Sequence, residues 1–249
     1  MSDVAAPLVL LNLGCGDKTS SRAGVVNIDW SVMLRLRRHA LRRFLVPLIL
    51  HGDRRLRFEQ LPDNIRVHDI SRGIPYAENS VDAVYHSHVL EHLDRDVAPV
   101  FLAEVLRVLK PGGVHRVVVP DLEALCRSYV EDLDACVAAK APADAHDQRV
   151  AALFEQSVRR EAHGTSQQPR LRRWVENRLL GDARKRGHTH QWMYDRVNLA
   201  TLLRGLGYSE VRHVDYRTSA IPDWSGYGLD AEGPGREYRP GSLYMEAIK

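Results

Sequence analysis

The sequence VLLNLGCGDKTSSRAGVVNIDW, residues 9–30, contains two apolar runs only a few positions apart. The first, Leu8–Leu13, ends in Gly-Cys-Gly at positions 14–16, and the second, Val25–Ile28, ends in Asp29. Short apolar runs bounded by such residues are typical of buried parallel strands. The link between them is too short for a full helix, and the third glycine of a dinucleotide fingerprint is missing. The stretch predicts two strands whose ends form an abbreviated ligand site.

The sequence that follows alternates between strand and helix patterns. Further strands are predicted at Ile65–His68, Val81–Tyr85 and Val114–Val119. Between the last two, apolar residues at helical spacing run up to Lys-Pro-Gly-Gly at 110–113, which predicts a helix with a Pro-Gly exit. Asp121 is placed to cap the next helix. This alternation predicts an α/β fold with a mostly parallel sheet covered on both faces.

Length and composition favour a single domain, residues 1–249, with one large core. No stretch approaches the roughly 20 apolar residues that span a bilayer, and residues 1–7 lack the layout of a secretory signal. The chain has 3 cysteines, whose odd number and wide spacing fit neither a disulfide framework nor a CxxC metal site. A reduced, cytoplasmic protein without a membrane span is therefore expected.

Two segments interrupt the alternation. Residues 31–60 have one apolar helical face with arginines elsewhere, so this basic amphipathic insertion could lie on a membrane or pack on the protein's own core. The second alternative is the favoured one. Residues 134–208 are polar and helical in pattern, and they are long enough to cover a pocket. We predict that they form a helical substrate lid.

Arginine is unevenly distributed although the net charge is only +3. One cluster spans Arg35–Arg57 and another Arg159–Arg186. Such clusters attract phosphates or other acidic partners, and they are equally typical of solvated helix faces. A phosphate-bearing acceptor remains open on this ground.

The predicted strand ends carry the residue types that a nucleoside needs. In an open parallel sheet, ligands bind beyond the carboxyl ends of the strands. The glycines after the first strand let the backbone approach a ligand closely, and Asp29 can accept hydrogen bonds from ribose hydroxyls. Asp69 and Ile70 end the third strand, where they suit an adenine. The missing third glycine counts against a pyrophosphate, so adenosine without phosphate fits better.

The chain resembles the class I S-adenosylmethionine-dependent methyltransferases. The resemblance rests on residues 8–29, on HDISRGIPYAENSVDAVYHSHVLEHL at 68–93 and on FLAEVLRVLKPGGVHRVVVPDLEALCRSY at 101–129. In particular, it is similar to the bacterial branch that reads LNLGCG, NIDW, SHVLEHL and LKPGG. It implies a Rossmann-like fold with a seven-stranded, mostly parallel sheet in the order 3-2-1-4-5-7-6, and S-adenosylmethionine as cofactor.

The resemblance also implies the roles of particular residues. The loop after the first strand would line the methionine half of the cofactor, and Asp29 would bind the ribose. Asp69 and Ile70 would flank the adenine, and the loop after the fourth strand would lie beside the sulfonium. The implied cofactor-binding residues are Leu13, Gly14, Cys15, Gly16, Asp29, Asp69, Ile70, Ser87, His88 and Glu91.

Histidines supply the candidates for a general base, because their pKa suits proton transfer near neutral pH. His88 follows the fourth strand, and His188 and His190 lie in an aromatic-rich segment after the second arginine cluster. The alternatives are a structural Glu-His cap for Glu91 and His92, and loop packing for His188 and His190. Neither His-x-His pair has zinc-finger spacing, so no metal is expected.

The expected function is methyl transfer to a small or medium acceptor, mainly O-methylation of a sugar-containing or secondary metabolite with a histidine base. Transfer to nitrogen or carbon, RNA methylation and a non-catalytic cofactor-binding partner protein are the alternatives. Nucleic acid is disfavoured because no separate RNA-binding module is recognised. A homodimer is left open.

Overall fold

The computed structural model describes residues 7–41, 44, 46, 53–138, 140, 143–157, 190–233 and 235–249. Its main sheet has seven strands in the order β3-β2-β1-β4-β5-β7-β6, with β7 antiparallel to both neighbours and the first five strands parallel. The predicted α/β class and strand order are confirmed. The strands are β1 Leu10–Leu13, β2 Val25–Asp29, β3 Ile65–Val67, β4 Val81–Ser87, β5 Leu109–Pro120, β6 Glu210–Val214 and β7 Ser242–Ile248.

Several of the helices begin at a residue whose side chain caps their first N–H groups. Asp121 accepts hydrogen bonds from the backbone N–H groups of Glu123 and Ala124, as predicted. Asp195 and Asn198 form a reciprocal capping box at the start of the last helix. The helices are α1 Val32–Arg38, α2 Asp53–Glu59, α3 Ala98–Val108, α4 Leu122–Val137, α5 Ala143–Ser157 and α6 Arg196–Gly205.

The Lys-Pro-Gly-Gly segment after α3 differs from its prediction. It was expected to end the helix before a strand at Val114; the helix does end at Val108, but β5 already begins at Leu109, where the chain pairs with Val81 of β4. The register shifts between Val81 and Ala83, and a Cβ on Gly113 would lie 2.8 Å from the Lys110 carbonyl oxygen. The glycine therefore permits an irregular start to the strand instead of separating it from the helix.

The two faces of the sheet are covered by different structures. Over one face, α3 and α6 bury Leu102 and Leu199 in the largest core cluster. Over the other, Trp224 and Tyr227 of a single 3₁₀ turn pack against Tyr85 and its neighbours. Among the described residues of that second cluster no α-helix contributes. The predicted covering of both faces is thus present, and over this second cluster it is provided by an aromatic loop segment, residues 216–229.

The described part of the insertion 31–60 contributes to the core. Leu34 of α1 is buried against Cys15 and Ile65, and Phe58 of α2 is buried in a small neighbouring cluster. Leu41 and other apolar side chains of this insertion face solvent. Among the described residues, the helices are all too short or too polar to cross a membrane.

The segment 134–208 is not uniform. It begins inside α4, which pairs through a His146–Asp132 contact of 2.9 Å with α5. Residues 158–189 lie outside the described part of the chain. At its end, α6 buries Leu199 and Leu203 in the main core. Because α6 belongs to the core, only the portion before it can serve as the predicted lid, whose function stays a prediction.

Candidate functional site

The link between β1 and β2 is held by side-chain amides. Asn12 of β1 donates through Nδ2 to the Lys18 carbonyl at 2.9 Å and to Asn27 Oδ1 at 2.9 Å. Asn27 Oδ1 also accepts from the Ser20 N–H, and its Nδ2 donates to the Ser20 carbonyl at 2.9 Å. Two buried asparagines thus satisfy the backbone of a loop that forms no helix, which explains how so short a link is stable.

The glycines of the link adopt backbone conformations that favour glycine. Gly14 has φ +62° and Gly16 has φ +56°. A Cβ on Gly14 would lie 2.5 Å from Cγ2 of Val89, so this glycine lets the loop after β4 approach β1. Among the described residues, a Cβ on Gly16 would meet no atom within 4 Å apart from its chain neighbours, so the space above this glycine is open to a ligand.

Asp29, at the end of β2, lies beside the glycine-containing link. Its Oδ2 accepts a hydrogen bond of 2.8 Å from the Gly16 N–H. Burial raises the pKa of the Asp29 carboxyl, although this hydrogen bond opposes the shift. Hydrogen bonds from further hydroxyl donors would stabilise the ionised form of this buried carboxylate. Burial also raises the pKa of the Cys15 thiol, which agrees with a packing residue rather than a nucleophile.

An open cleft lies at the carboxyl ends of β1 and β4 and encloses about 420 Å³ including its mouth. Of the sequence-predicted cofactor residues, five line it, and its lining also includes residues that the sequence did not single out. The lining residues are Asn12, Gly14, Cys15, Gly16, Asp17, Lys18, Tyr85, Ser87, His88, Tyr238 and Arg239.

Other predicted residues lie around the cleft without lining it. Leu13 is fully buried in the main core directly before Gly14. Asp69 caps the 3₁₀ turn Ile70–Arg72 through the Ser71 N–H at 3.1 Å, and the Ile70 side chain packs against the core. The role of Asp69 and Ile70 at an adenine stays a prediction.

His88 stands at the junction of the cleft with the loop after β4. Its backbone is left-handed, with φ +54°, which turns the chain away from the strand. Its Nδ1 lies 3.1 Å from Oε1 of Glu91, and its Nε2 lies 2.9 Å from Oγ of Ser242 at the start of β7. This places the imidazole of His88 between a carboxylate and a hydroxyl.

Glu91 is buried, with a side chain that is 1% exposed. Burial alone would raise the pKa of the Glu91 carboxyl. His88 and the charge of the nearby His92 outweigh this effect, so the pKa lies below its usual range. Oε1 lies 3.9 Å from Nε2 of His92, whose ring meets the His190 ring edge-to-face at 4.9 Å. The structure therefore gathers His190 beside Glu91, while His188 lies outside the described residues.

His86 does not belong to the cleft, although strand alternation places it on the side of His88. It is fully buried, and its Nε2 lies 3.0 Å from Nε2 of His115 in β5. Burial lowers the pKa of His86 to about 4 and that of His115 well below its usual value. The rings pack on Phe101 and Tyr208, so this pair is part of the core.

The cleft residues that the sequence missed come from far along the chain. Tyr238 and Arg239 follow a short hairpin, Ala231–Glu232 paired with Arg236–Glu237, in a stretch that its glycine and proline content identified only as a loop. Lys18 Nζ donates a hydrogen bond of 2.9 Å to the Ala231 carbonyl and lies over the Tyr238 ring, 4.2 Å from its centroid. No local pattern predicts this approach, because it depends on the fold of the last 35 or so residues.

A buried arginine anchors that C-terminal segment. Arg116 of β5 is fully buried and donates from Nε to Asp230 at 2.7 Å and from Nη1 to Glu246 at 2.8 Å. It also donates to the carbonyls of Thr218 and Asp215, both at 2.8 Å. The sequence signal was an arginine inside an apolar strand, which must be paired when buried.

Residues 11–117 match the family described as a methyltransferase domain. Among curated proteins, none matches this chain. Solved structures that it resembles include the apo form of the methyltransferase SibL, with 14% identity, coverage of 97% of this chain and 50% of that one, and a TM-score of 0.43.

Two further solved structures resemble the chain. A methyltransferase from Archaeoglobus fulgidus has 12% identity, with 97% of this chain and 86% of that one covered and a TM-score of 0.44. The N1-methyltransferase of Burkholderia thailandensis that binds 1,6-didemethyltoxoflavin and S-adenosylhomocysteine has 15% identity, 98% and 71% coverage and a TM-score of 0.42. The strand order agrees with the one that the resemblance to class I S-adenosylmethionine-dependent methyltransferases implied, and the matched residues 11–117 include β1 and β4, at whose ends the cleft lies.

Proposed function

We propose that the protein transfers a methyl group to a hydroxyl of a small or medium acceptor, with His88 as the general base. The observation that carries the proposal is the position of His88, which lines the cofactor cleft and lies between Glu91 and Ser242. The proposal includes the class of acceptor expected from the sequence, a sugar-containing or secondary metabolite. His188 and His190 stay alternative bases.

The neighbours of His88 favour the tautomer that a base needs. A carboxylate 3.1 Å from Nδ1 favours a proton on that nitrogen, which leaves the Nε2 lone pair to accept one. In the structure Nε2 lies 2.9 Å from the Ser242 hydroxyl, which itself donates to the Arg239 carbonyl at 2.8 Å, so Ser242 has to be displaced before Nε2 can accept a proton from a substrate. An acceptor hydroxyl that displaces Ser242 would meet the same lone pair, and its proton would move to Nε2 during the transfer.

The cleft fits S-adenosylmethionine on the chemistry of its lining. Open space above Gly16, the acceptor Asp29 and the cations Lys18 and Arg239 suit a ligand with ribose hydroxyls and an amino-acid carboxylate. The cofactor supplies a methyl group on an activated sulfonium. The chain therefore has to align the acceptor, exclude water and take up a proton, and alignment alone can lower the barrier by several kcal/mol.

The acceptor is bound, in this proposal, on the side of His88 that faces the segment before α6. The Trp192 ring lies 4.5 Å from the Arg95 guanidinium at that side, which offers an apolar surface beside a positive charge. This pairing suits an acceptor with a sugar or ring and an acidic group, and it supports the phosphate-bearing class left open above. A cytoplasmic location and a homodimer remain expectations.

The experiment combines an acceptor screen with variants. Purified protein and S-adenosylmethionine are incubated with candidate metabolites, and mass spectrometry detects the gain of one methyl group. For the acceptor so found, His88→Gln should lower kcat by about 10²-fold or more, while calorimetry shows a much smaller change in cofactor affinity. His213→Gln, an exposed histidine on β6, is the matched control and should retain full turnover.

The alternatives predict different results. Equal turnover by His88→Gln with loss in His190→Gln would transfer the base to His190. Methylated nitrogen or carbon in the product would remove the hydroxyl assignment. Absence of any heat on titration with S-adenosylmethionine would favour the non-catalytic partner protein, and tight RNA binding at physiological salt would favour RNA methylation.

A further inference from the structure

We propose that Glu91, His92 and His190 form a binding site for a divalent transition-metal ion next to the cofactor cleft. One ligand atom from each of these residues lies within 4.8 Å of the others. Two of them are neighbours in the sequence, and the third is brought in from the segment before α6. Sequence spacing could not show this arrangement, which explains why no metal was expected from the motifs.

The buried carboxylate is the first argument for an ion. Glu91 is enclosed, and within the described residues neither of its oxygens receives a hydrogen bond of good geometry, although Oε1 lies 3.1 Å from His88 Nδ1. An ionised carboxylate out of contact with water is costly unless a countercharge stabilises it. A metal ion between Glu91 and the two imidazoles would supply that charge, and one carboxylate oxygen can keep its contact with His88.

The backbone fixes the relative position of the three side chains. The Glu91 carbonyl accepts hydrogen bonds from the N–H groups of Gln191 at 2.7 Å and Trp192 at 3.3 Å. Two residues further on, the Tyr194 carbonyl accepts from the Leu122 N–H at 3.1 Å, which ties the same segment to the start of α4. His190 is thus attached to the turn that carries Glu91 and His92, as a preorganised site requires.

The ligand chemistry selects the class of ion. Two imidazoles and one carboxylate suit zinc, iron or cobalt better than magnesium or calcium, which prefer oxygen ligands. Three protein ligands also leave a coordination position open for water or for a substrate oxygen. Its role rests on the proposed function: an acceptor hydroxyl bound there would have a lowered pKa beside the base His88.

A second group of potential ligands provides the matched control. Asp132, Cys136 and His146 also lie within 4.8 Å of one another, on the hairpin of α4 and α5. That group contains a thiol, and its Asp132–His146 contact of 2.9 Å already pairs the carboxylate, so it lacks the buried unsatisfied oxygen. A His→Ala change can therefore be made in either group for direct comparison.

The test is a titration of metal-stripped protein with Zn²⁺, followed by calorimetry and by metal analysis after dialysis. Wild type should bind with a Kd near or below about 1 µM, and His190→Ala should weaken this binding at least about ten-fold. His146→Ala should leave it unchanged. Co²⁺ bound at the site should show visible absorption without the thiolate charge-transfer band that Cys136 would give.

The outcomes are distinct. No Zn²⁺ binding tighter than millimolar, or binding lost in His146→Ala but kept in His190→Ala, would overturn the site and leave protonated imidazoles as the countercharge of Glu91. If His190→Ala does not fold, His92→Gln replaces it with the same expectation. Since the titration contains neither cofactor nor acceptor, its failure does not count against methyl transfer, and a failed methyl-transfer assay does not count against the ion.

Discussion

The two sides of the cleft are built in different ways. On the β1–β2 side, a single contiguous stretch from Asn12 to Asp29 provides the loop, its hydrogen bonds and its carboxylate. On the β4 side, His88 contacts Ser242 and Glu91, and Glu91 in turn holds the segment of Gln191. The first side is a local structure, whereas the second is assembled from segments that meet only when the whole chain has folded.

This difference has a consequence for stability and for ligand binding. A local structure depends on the conformations of a few neighbouring residues, so substitutions there should act mainly on the ligand. An assembled structure depends on buried contacts between distant strands, so substitutions in its supports should destabilise the fold as well. The predictions that follow test this contrast, beginning with the largest effect.

Arg116→Met should have the largest effect, because it removes the buried guanidinium that pairs with both Asp230 and Glu246. We expect a loss of about 3–5 kcal/mol in the free energy of unfolding, measured by urea titration. The cleft should be affected too, since Asp230 lies in the segment that leads to Tyr238.

Arg212→Met is the matched control, because Arg212 also pairs with Glu246, at 3.3 Å, but is 47% exposed. A pair so exposed contributes less than about 1 kcal/mol. Equal losses for the two variants would show that burial of the Arg116 network does not support the assembled side.

The buried pair His86–His115 should make the folded state sensitive to acid. The pKa of His86 is about 4 when folded and near 6.5 when unfolded, so protons bind the unfolded chain first as the pH falls. The contribution of neutral His86 to the free energy of unfolding is therefore fully present above pH 6.5. As the pH falls from 6.5 to 4, the free energy of unfolding decreases by about 3 kcal/mol because of His86 alone. Urea unfolding at a series of pH values measures this slope.

The double variant His86→Leu/His115→Leu removes both polar partners and keeps apolar contact with Phe101 and Tyr208. Its stability should fall much less steeply between pH 6.5 and 4, and replacement of both partners together can be nearly neutral at pH 7. An unchanged slope would assign the acid sensitivity to other groups.

The same contrast explains what the sequence could predict. The strand order and the β1–β2 side followed from apolar runs ending in Gly or Asp, since local patterns report local structure. The grouping of Glu91 with His190, and the position of Tyr238 and Arg239 in the same cleft lining as Gly16, have no such local pattern in the sequence. They arise from tertiary packing, which the periodicity and turn residues of the sequence do not predict.

Gly14→Ala and Gly16→Ala should have different effects, because Gly14 lies where the two sides of the cleft meet and Gly16 does not. Both substitutions place a side chain at positive φ, which costs about 1–2 kcal/mol. Only the Cβ on residue 14 meets Val89, at 2.5 Å, so Gly14→Ala should displace the loop after β4 and lower the unfolding free energy further. Gly16→Ala should instead act mainly on cofactor affinity, measured by calorimetry. Equal effects on both measurements would contradict the division.

Arg239→Ala should give the smallest effect. Arg239 lines the cleft from the C-terminal segment but is exposed, so water and salt screen its attraction for the cofactor carboxylate. We expect S-adenosylmethionine to bind about 3–10-fold more weakly at low salt, with the difference shrinking as salt is added and the unfolding free energy unchanged. Arg236→Ala, whose guanidinium pairs with Glu232 on the opposite strand of the same hairpin, is the control and should bind normally. If Arg239→Ala binds the cofactor as tightly as Arg236→Ala at low salt, the C-terminal segment covers the cleft without contributing charge to it, and the carboxylate has to be held by the contiguous side alone, through Lys18 and the loop N–H groups.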